Sequence, residues 1–268
     1  MTDSATTPPM SRRERRARLA SRRPEPASAP LIDFDIVAPA PSVSRGGVTT
    51  AEHITTAEHV ADPESAPGVA DSPVTILTVC TGNICRSPMA EVLLRARLQG
   101  AGVRVHSAGT RALVDHGMDR TAQEIAVQHG ASAEEVAAHR ARWLQEPLAD
   151  DADLVLAMSR EHRTAAVELS PRHLRHTFTV REFARLSSSL DDDEIRRTAD
   201  AAGSAPRARL SAVVSLVSGQ RGLAAPAVAD DDDVVDPYRR AREVYEESAE
   251  QLAPAVDEVA RVVRAALG

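Results

Sequence analysis

Residues 80 to 87 read Cys-Thr-Gly-Asn-Ile-Cys-Arg-Ser, with Pro88 directly after. A thiol, five small or turn-forming residues and a guanidinium suit nucleophilic attack on a bound tetrahedral anion. Gly82 and Asn83 tolerate positive φ, so the loop can curl tightly enough to aim several backbone amides at one point. Arg86 adds a planar two-pronged donor matched to two oxygens of a phosphate. Amides, a helix N-terminus and a guanidinium together favour thiolate over thiol, which makes Cys80 the candidate nucleophile. Cys85 has two readings: a small buried residue, or a partner that traps oxidised Cys80 as a disulfide. Zinc is not indicated, because the chain holds only these two cysteines and no histidine pair nearby completes a tetrahedral set.

Such a loop needs a strand before it and a helix after it. The apolar run Val74-Thr75-Ile76-Leu77-Thr78-Val79 supplies the strand. Ser87 is expected as the cap and Pro88 as the first residue of an amphipathic helix carrying Met89, Val92, Leu93, Ala96 and Leu98. Further strands are expected at 103–107, 154–158 and 177–180, with two helices over 119–143 broken near Gly130 and another over 160–169. This alternation predicts a three-layer α/β sandwich: a central, mainly four-stranded parallel sheet with the phosphate-binding loop after its first strand. Ligands of such sheets sit at the carboxyl ends of the strands, where Cys80 lies.

The string Val79 to Pro88 resembles the signature of the low-molecular-weight protein tyrosine phosphatase family, bacterial type. Ser107-Ala108-Gly109-Thr110, Asp153 to Met158 and Val235-Asp236-Pro237-Tyr238 resemble further family motifs, in family order. The resemblance implies that Cys80 attacks phosphorus, that Arg86 stabilises the equatorial oxygens, and that Asp236 protonates the leaving phenolate and then activates water. It implies substrate contacts from Thr81, Gly82, Asn83, Ile84, Cys85, Ser87, Leu113 and Tyr238, and a hydrogen-bond network of Asn83, Ser87, Ser107 and His139 that holds the loop in shape and supports the thiolate. No cofactor and no metal are expected. The implied partner is a phosphotyrosine-containing protein, a bacterial tyrosine kinase among the candidates. Two departures stand out: Ser159 where many members carry an acidic residue, and Arg111-Ala112-Leu113-Val114 where many place an aromatic wall. Two other readings share the loop: an arsenate reductase that uses a small thiol, and a non-catalytic phosphate-binding regulatory module. The chain has no outlying cysteines for a thioredoxin-coupled relay, but a small-thiol reductase would need only one cysteine; Asp236-Pro237-Tyr238 favours the phosphatase, and the regulatory module would not need Asp236.

The chain has 268 residues and a formal net charge of -7, which gives no support for nucleic-acid binding. Residues 1–72 are rich in Pro, Ala, Ser and Thr and read as a disordered extension, with a basic segment at 11–23 and a tandem hexapeptide over 49–60. Residues 73–268 read as the catalytic domain, with a less certain insertion at 187–233. Its acidic runs, 191–194 and 230–233, read as solvated loops, the second adding negative potential beside Asp236. Residues 237–267 read as a closing helix whose start positions that acid. No run is long enough to span a bilayer, and a working thiolate needs a reducing compartment, so the expected location is the cytoplasm.

Overall fold

The computed structural model describes residues 73–223 and 225–268. The basic segment and the tandem hexapeptides lie outside these described residues. Four strands, β1 (Val74–Cys80), β2 (Val103–Gly109), β3 (Leu154–Ala157) and β4 (Thr177–Thr179), form one sheet in the order β2-β1-β3-β4. Every pairing is parallel, with Cys80 opposite Gly109 at the carboxyl end. All seven residues of β1 are buried, as expected of a central strand covered on both faces.

The period of two sorts the β1 side chains between two cores. Val74, Ile76 and Cys80 face the larger one, and Leu77 and Val79 the smaller. The larger core takes α1 (Arg86–Arg97), α2 (Arg120–Gln128) and the long α9 (Arg242–Leu267), whose Leu252, Val256, Val259 and Val263 are fully buried. Against the smaller face lie α4 (Glu146–Asp151) and α5 (Arg160–Leu169), through Leu148 and Ala166. The short α3 (Ala133–Ala138) follows α2 after Gly130, whose φ of +93° ends the preceding turn.

The structure departs from the sequence expectations at several element boundaries and connections. First, α1 starts at Arg86, so Ser87 and Pro88 lie inside its first turn; the Ser87 hydroxyl is engaged on Cys80 instead of capping. Second, the helix after Gly130 stops at Ala138, and residues beyond it run extended beside the end of β2, with Trp143 bridging Gly109. Third, helix α6 (Val180–Ser187) follows β4 at once, behind a capping box of Thr179 and Glu182. Fourth, the first acidic run is no loop. Asp191 caps α7 (Asp192–Ala201) and the next three acids occupy its first turn, where the helix dipole favours them. Together with α8 (Pro206–Gly219), whose Leu210, Val213, Val214 and Val217 are buried, α7 packs on α9. Fifth, α9 begins six residues after Asp236. The turn between them includes Arg239 at φ +58°, a left-handed conformation that interrupts a helix.

Gly109 is the tightest fit around the loop. A Cβ there would sit 2.5 Å from Thr81 O and 3.0 Å from Asn83 N and Cβ, so loop or strand would have to move. Overpacking of this kind costs about 1–3 kcal/mol. Gly109→Ala should lower the melting temperature by about 2–4 °C for each kcal/mol lost and depress activity more than stability, which calorimetry beside a phosphatase assay would show.

Candidate active site

The loop after β1 turns its carbonyls outward. Cys80 O accepts from Thr110 N at 2.9 Å, Thr81 O from Arg111 N at 2.9 Å, Gly82 O from Leu113 N at 3.0 Å and Ile84 O from Asp119 N at 2.7 Å. In a planar trans peptide the N–H points opposite its C=O, so these contacts turn the intervening amides inward. The segment 110–119 thus acts as an outer hoop.

Asn83 fixes the curl. It has φ +54° and is fully buried. Its Nδ2 donates to Ser87 Oγ at 3.0 Å and Ser107 Oγ at 2.8 Å, while its Oδ1 accepts from Arg142 N at 2.9 Å. Its carbonyl accepts from His139 Nε2 at 2.8 Å. Ser107 Oγ passes on to Glu91 Oε2 at 2.5 Å, and His139 Nδ1 faces that oxygen at 3.6 Å. Burial pushes the Glu91 carboxyl up, but the hydrogen bond from His139, the charge of Arg95 and the hydrogen bond from Ser107 outweigh it and hold it below its usual value. His139, expected on a helix, sits just past the end of α3, which frees its ring to reach the loop.

The sulfur of Cys80 accepts from Ser87 Oγ at 3.0 Å and from Asn83 N at 3.3 Å. Arg86 is buried at the start of α1; Nη1 donates to Val234 O at 3.2 Å and Nη2 pairs with Asp236 Oδ2 at 2.9 Å. Its Nε is buried without a partner, a donor that an oxyanion would satisfy. Cys80, Thr81, Gly82, Ile84, Cys85, Arg86, Arg111, Leu113, Asp236 and Tyr238 line one cavity of about 160 Å³. Its walls are largely apolar and its floor holds the thiol and the guanidinium. Tyr238 is the only aromatic among these lining residues.

The structure therefore gathers the residues named from sequence into one place, with a division of labour. Asn83, Ser87, Ser107 and His139 lie behind the cavity and shape the loop; the others line it. Both cysteines are free thiols. Cys85 is pushed far up, first by burial and then by the Asp119 and Cys80 charges, so it stays protonated.

Sequence reasoning missed three contributors. Glu91 reads as one more charge on an amphipathic helix, and Arg142 acts through its backbone. His162 lies 81 residues from Thr81, yet its Nε2 is 2.8 Å from Thr81 Oγ1 and its Nδ1 is 2.8 Å from Ser159 Oγ. A neutral ring needs one donor and one acceptor, and two hydroxyls supply both. Burial, followed by the Arg86 charge, pulls the His162 pKa down to about 4. Ser159, standing where an acidic residue was expected, thus caps α5 and holds this ring.

The second acidic run is not a solvated loop either. Asp230 and Asp233 pair with Arg160 at 2.5 and 3.1 Å, Asp232 pairs with Arg185 at 2.8 Å, and Asp231 accepts from Val228 N at 3.0 Å. Its carboxylates serve as anchors for the segment leading to Asp236. Among the described residues no cluster of His, Cys, Asp or Glu has the arrangement of a metal site.

A thiol and an arginine in a strand-to-helix loop, faced by an aspartate from a second loop, form a pocket at the carboxyl end of a parallel α/β sheet whose donors suit a phosphate. Residues 75–196 match the family model of low molecular weight phosphotyrosine protein phosphatase. The low molecular weight protein-tyrosine-phosphatase Etp of Escherichia coli K12 is 48% identical over 97 residues, 36% of this chain and 62% of Etp. The probable low molecular weight protein-tyrosine-phosphatase EpsP of Ralstonia solanacearum is 42% identical over 123 residues, 46% of this chain and 79% of EpsP. Among solved structures, the YwlE arginine phosphatase from Geobacillus stearothermophilus aligns with TM-score 0.49 and 29% identity, over 70% of this chain and 91% of YwlE. The chain belongs to the low molecular weight phosphotyrosine protein phosphatase family.

Two predictions follow from the site's electrostatics. Iodoacetamide at neutral pH should label Cys80 and spare Cys85, as read by peptide mass spectrometry, and inorganic phosphate should slow the labelling. The depressed pKa of His162 means that the fold keeps the ring neutral while the unfolded chain takes up a proton below its ordinary value of 6.5. Nothing is lost above that pH; stability falls as the pH drops from there to about 4, by about 3 kcal/mol in all. Urea unfolding at several pH values should show that extra loss in wild type and not in His162→Gln.

Proposed function

We propose that the protein is a protein tyrosine phosphatase that hydrolyses aryl phosphate monoesters through a cysteinyl-phosphate. The observation that carries this reading is the convergence of Cys80, Arg86 and Asp236 on one apolar-walled cavity. The thiolate of Cys80 attacks phosphorus, forming S–P as the P–O bond to the phenol breaks. Inward amides and the Arg86 guanidinium hold the three equatorial oxygens, where the transition state spreads its charge. Asp236 gives its proton to the departing phenolate. In the second step it takes a proton from water, which attacks phosphorus and breaks S–P, releasing inorganic phosphate and restoring the thiolate.

In the present arrangement Asp236 rests on Arg86 Nη2. A phosphoryl group entering the loop competes for that nitrogen and displaces the carboxylate toward the ester oxygen, where, freed from the guanidinium and beside the phosphate's negative charge, it takes up from solvent the proton it then donates. Binding and placement of the acid are thereby one event. Ile84, Leu113 and Tyr238 give an aromatic ring apolar surface to lie on, which supports an aryl over an alkyl ester. The family relation and this cavity support a phosphotyrosine protein as substrate, with a bacterial tyrosine kinase as a candidate. A working thiolate supports a reducing compartment such as the cytoplasm; among the described residues no helix is long and apolar enough to cross a membrane.

Purified protein under reducing conditions should hydrolyse p-nitrophenyl phosphate and a phosphotyrosine peptide, and not a phosphoserine peptide. Cys80→Ser should abolish turnover, and Asp236→Asn should lower kcat/KM on phosphotyrosine by roughly 10²–10⁴-fold, the usual worth of a positioned acid. Absence of hydrolysis together with thiol-dependent arsenate reduction would replace this reading with the reductase.

A further inference from the structure

Three consecutive residues at the start of α5 reach three separate parts of the site. Arg160 holds the acid loop: its backbone N–H donates to Asp233 Oδ1 at 2.8 Å, and its guanidinium lies 3.1 Å from Asp233 Oδ2 and 2.5 Å from Asp230 Oδ1. Glu161 meets Arg111 of the cavity wall at 3.4 Å. His162 holds Thr81, the first loop residue after the nucleophile, at 2.8 Å. The three contacts differ in worth. The Glu161–Arg111 pair is largely exposed on both sides and contributes little. His162 is 3% exposed, and its ring bonds hydroxyls on both nitrogens. Asp233 satisfies an otherwise unpaired amide at a helix N-terminus and takes a guanidinium as well, so its contact combines a cap with an ion pair.

The helix carrying these residues is itself fixed to the sheet. Ala166 is buried in the smaller core, and Arg163 Nε donates to Thr177 O of β4 at 3.0 Å. The first turn of α5 therefore connects two segments more than 150 residues apart in sequence, the phosphate loop and the acid loop. We propose, on the phosphatase reading above, that this turn is a bracket setting the position of Asp236 relative to the bound phosphoryl group, with His162 and Asp233 as positioning residues at its two ends. They act in series: His162 fixes Thr81 to the turn, and Asp233 fixes the acid loop to the same turn. Loss of either end breaks the link through this turn, while Val234 N on Met158 O and Val235 N on Gln251 Oε1 still tie the acid loop to the domain. Neither side chain lines the cavity, so each acts through the residue it holds.

The consequence is a dependence on the leaving group. A misplaced acid harms departure of a basic phenolate and matters little for p-nitrophenolate, which leaves without help. The test uses the full chain and compares kcat/KM for p-nitrophenyl phosphate with that for phenyl phosphate. His162→Phe, which removes the ring hydrogen bonds at similar volume, and Asp233→Ala should each raise the ratio of the two about tenfold over wild type. The double variant should raise it no further, and His162→Gln, whose amide can restore the bond to Thr81, should recover most of the wild-type ratio. A ratio within twofold of wild type in either single variant overturns the bracket, and so does a double variant whose ratio is the product of the singles. Should His162→Phe fail to fold, Asp233→Ala and His162→Gln carry the test: an unchanged ratio in the former is fatal to it. A wild type inactive on both esters would sink the phosphatase reading itself, and the bracket with it, an outcome distinct from active enzyme with unchanged ratios.

Discussion

Turning five consecutive peptides so that their amides face one point is costly unless every outward carbonyl and the strained residue at the bend are satisfied from behind. Asn83 carries most of that burden. With φ +54° and no exposure, it is held by Ser87, Ser107, Arg142 and His139 at once. Each such bond is worth about 0.5–1.5 kcal/mol net, and each would cost more if broken and left buried. Much of the nearby architecture follows from this. The end of β2 supplies Ser107, and Gly109 leaves room for Thr81 O. The chain leaves the helical path after Ala138 so that His139 and the Arg142 amide can face Asn83.

The two cysteines show how far placement outweighs residue type. Five residues apart in one loop, they differ in what surrounds their sulfurs. Cys80 ends a strand and receives hydrogen bonds from a hydroxyl and an amide. Cys85 sits under the loop beside the Asp119 carboxylate and near the Tyr245 hydroxyl, where burial and negative charge both oppose its anion. The same loop places one sulfur among hydrogen-bond donors and the other where its anion is opposed.

What could be read in the sequence follows the range of the interactions. The cradle from Cys80 to Pro88 was legible because its chemistry is local: positive-φ residue types, an arginine at fixed spacing, a strand before and a helix after. Asp236 was legible only through family likeness, since nothing local connects it to a loop some 150 residues earlier. His162 and Glu91 were not legible, because their roles consist of contacts that only the folded chain makes. Other omissions were avoidable. The Thr179–Glu182 capping box and the Asp191 cap are local signals, and they mark α6 and α7, the latter within a segment taken for an acidic loop. The run at 230–233 misled for another reason. Net charge is visible in sequence, but which arginine neutralises which aspartate is decided by packing.

The anchoring of the acid loop also explains why its reactive residue lies outside a helix. Asp232 is fixed by Arg185 and, through its carbonyl, by Thr179 Oγ1; Val234 N donates to Met158 O, and Val235 N to Gln251 Oε1. At Asp236 this series of contacts to the body of the domain ends. Beyond it come the pair with Arg86, a local bond from Tyr238 N, and a turn containing Arg239 at positive φ. An acid at the first turn of α9 would be held by the helix and could serve one oxygen only. On the proposed mechanism Asp236 has to release Arg86 to the phosphoryl group, protonate the departing phenolate and then address a water in its place. A segment anchored to the domain up to the residue before the acid, and followed by a turn held by its own hydrogen bonds, suits that shift while keeping the carboxylate within reach of the cradle.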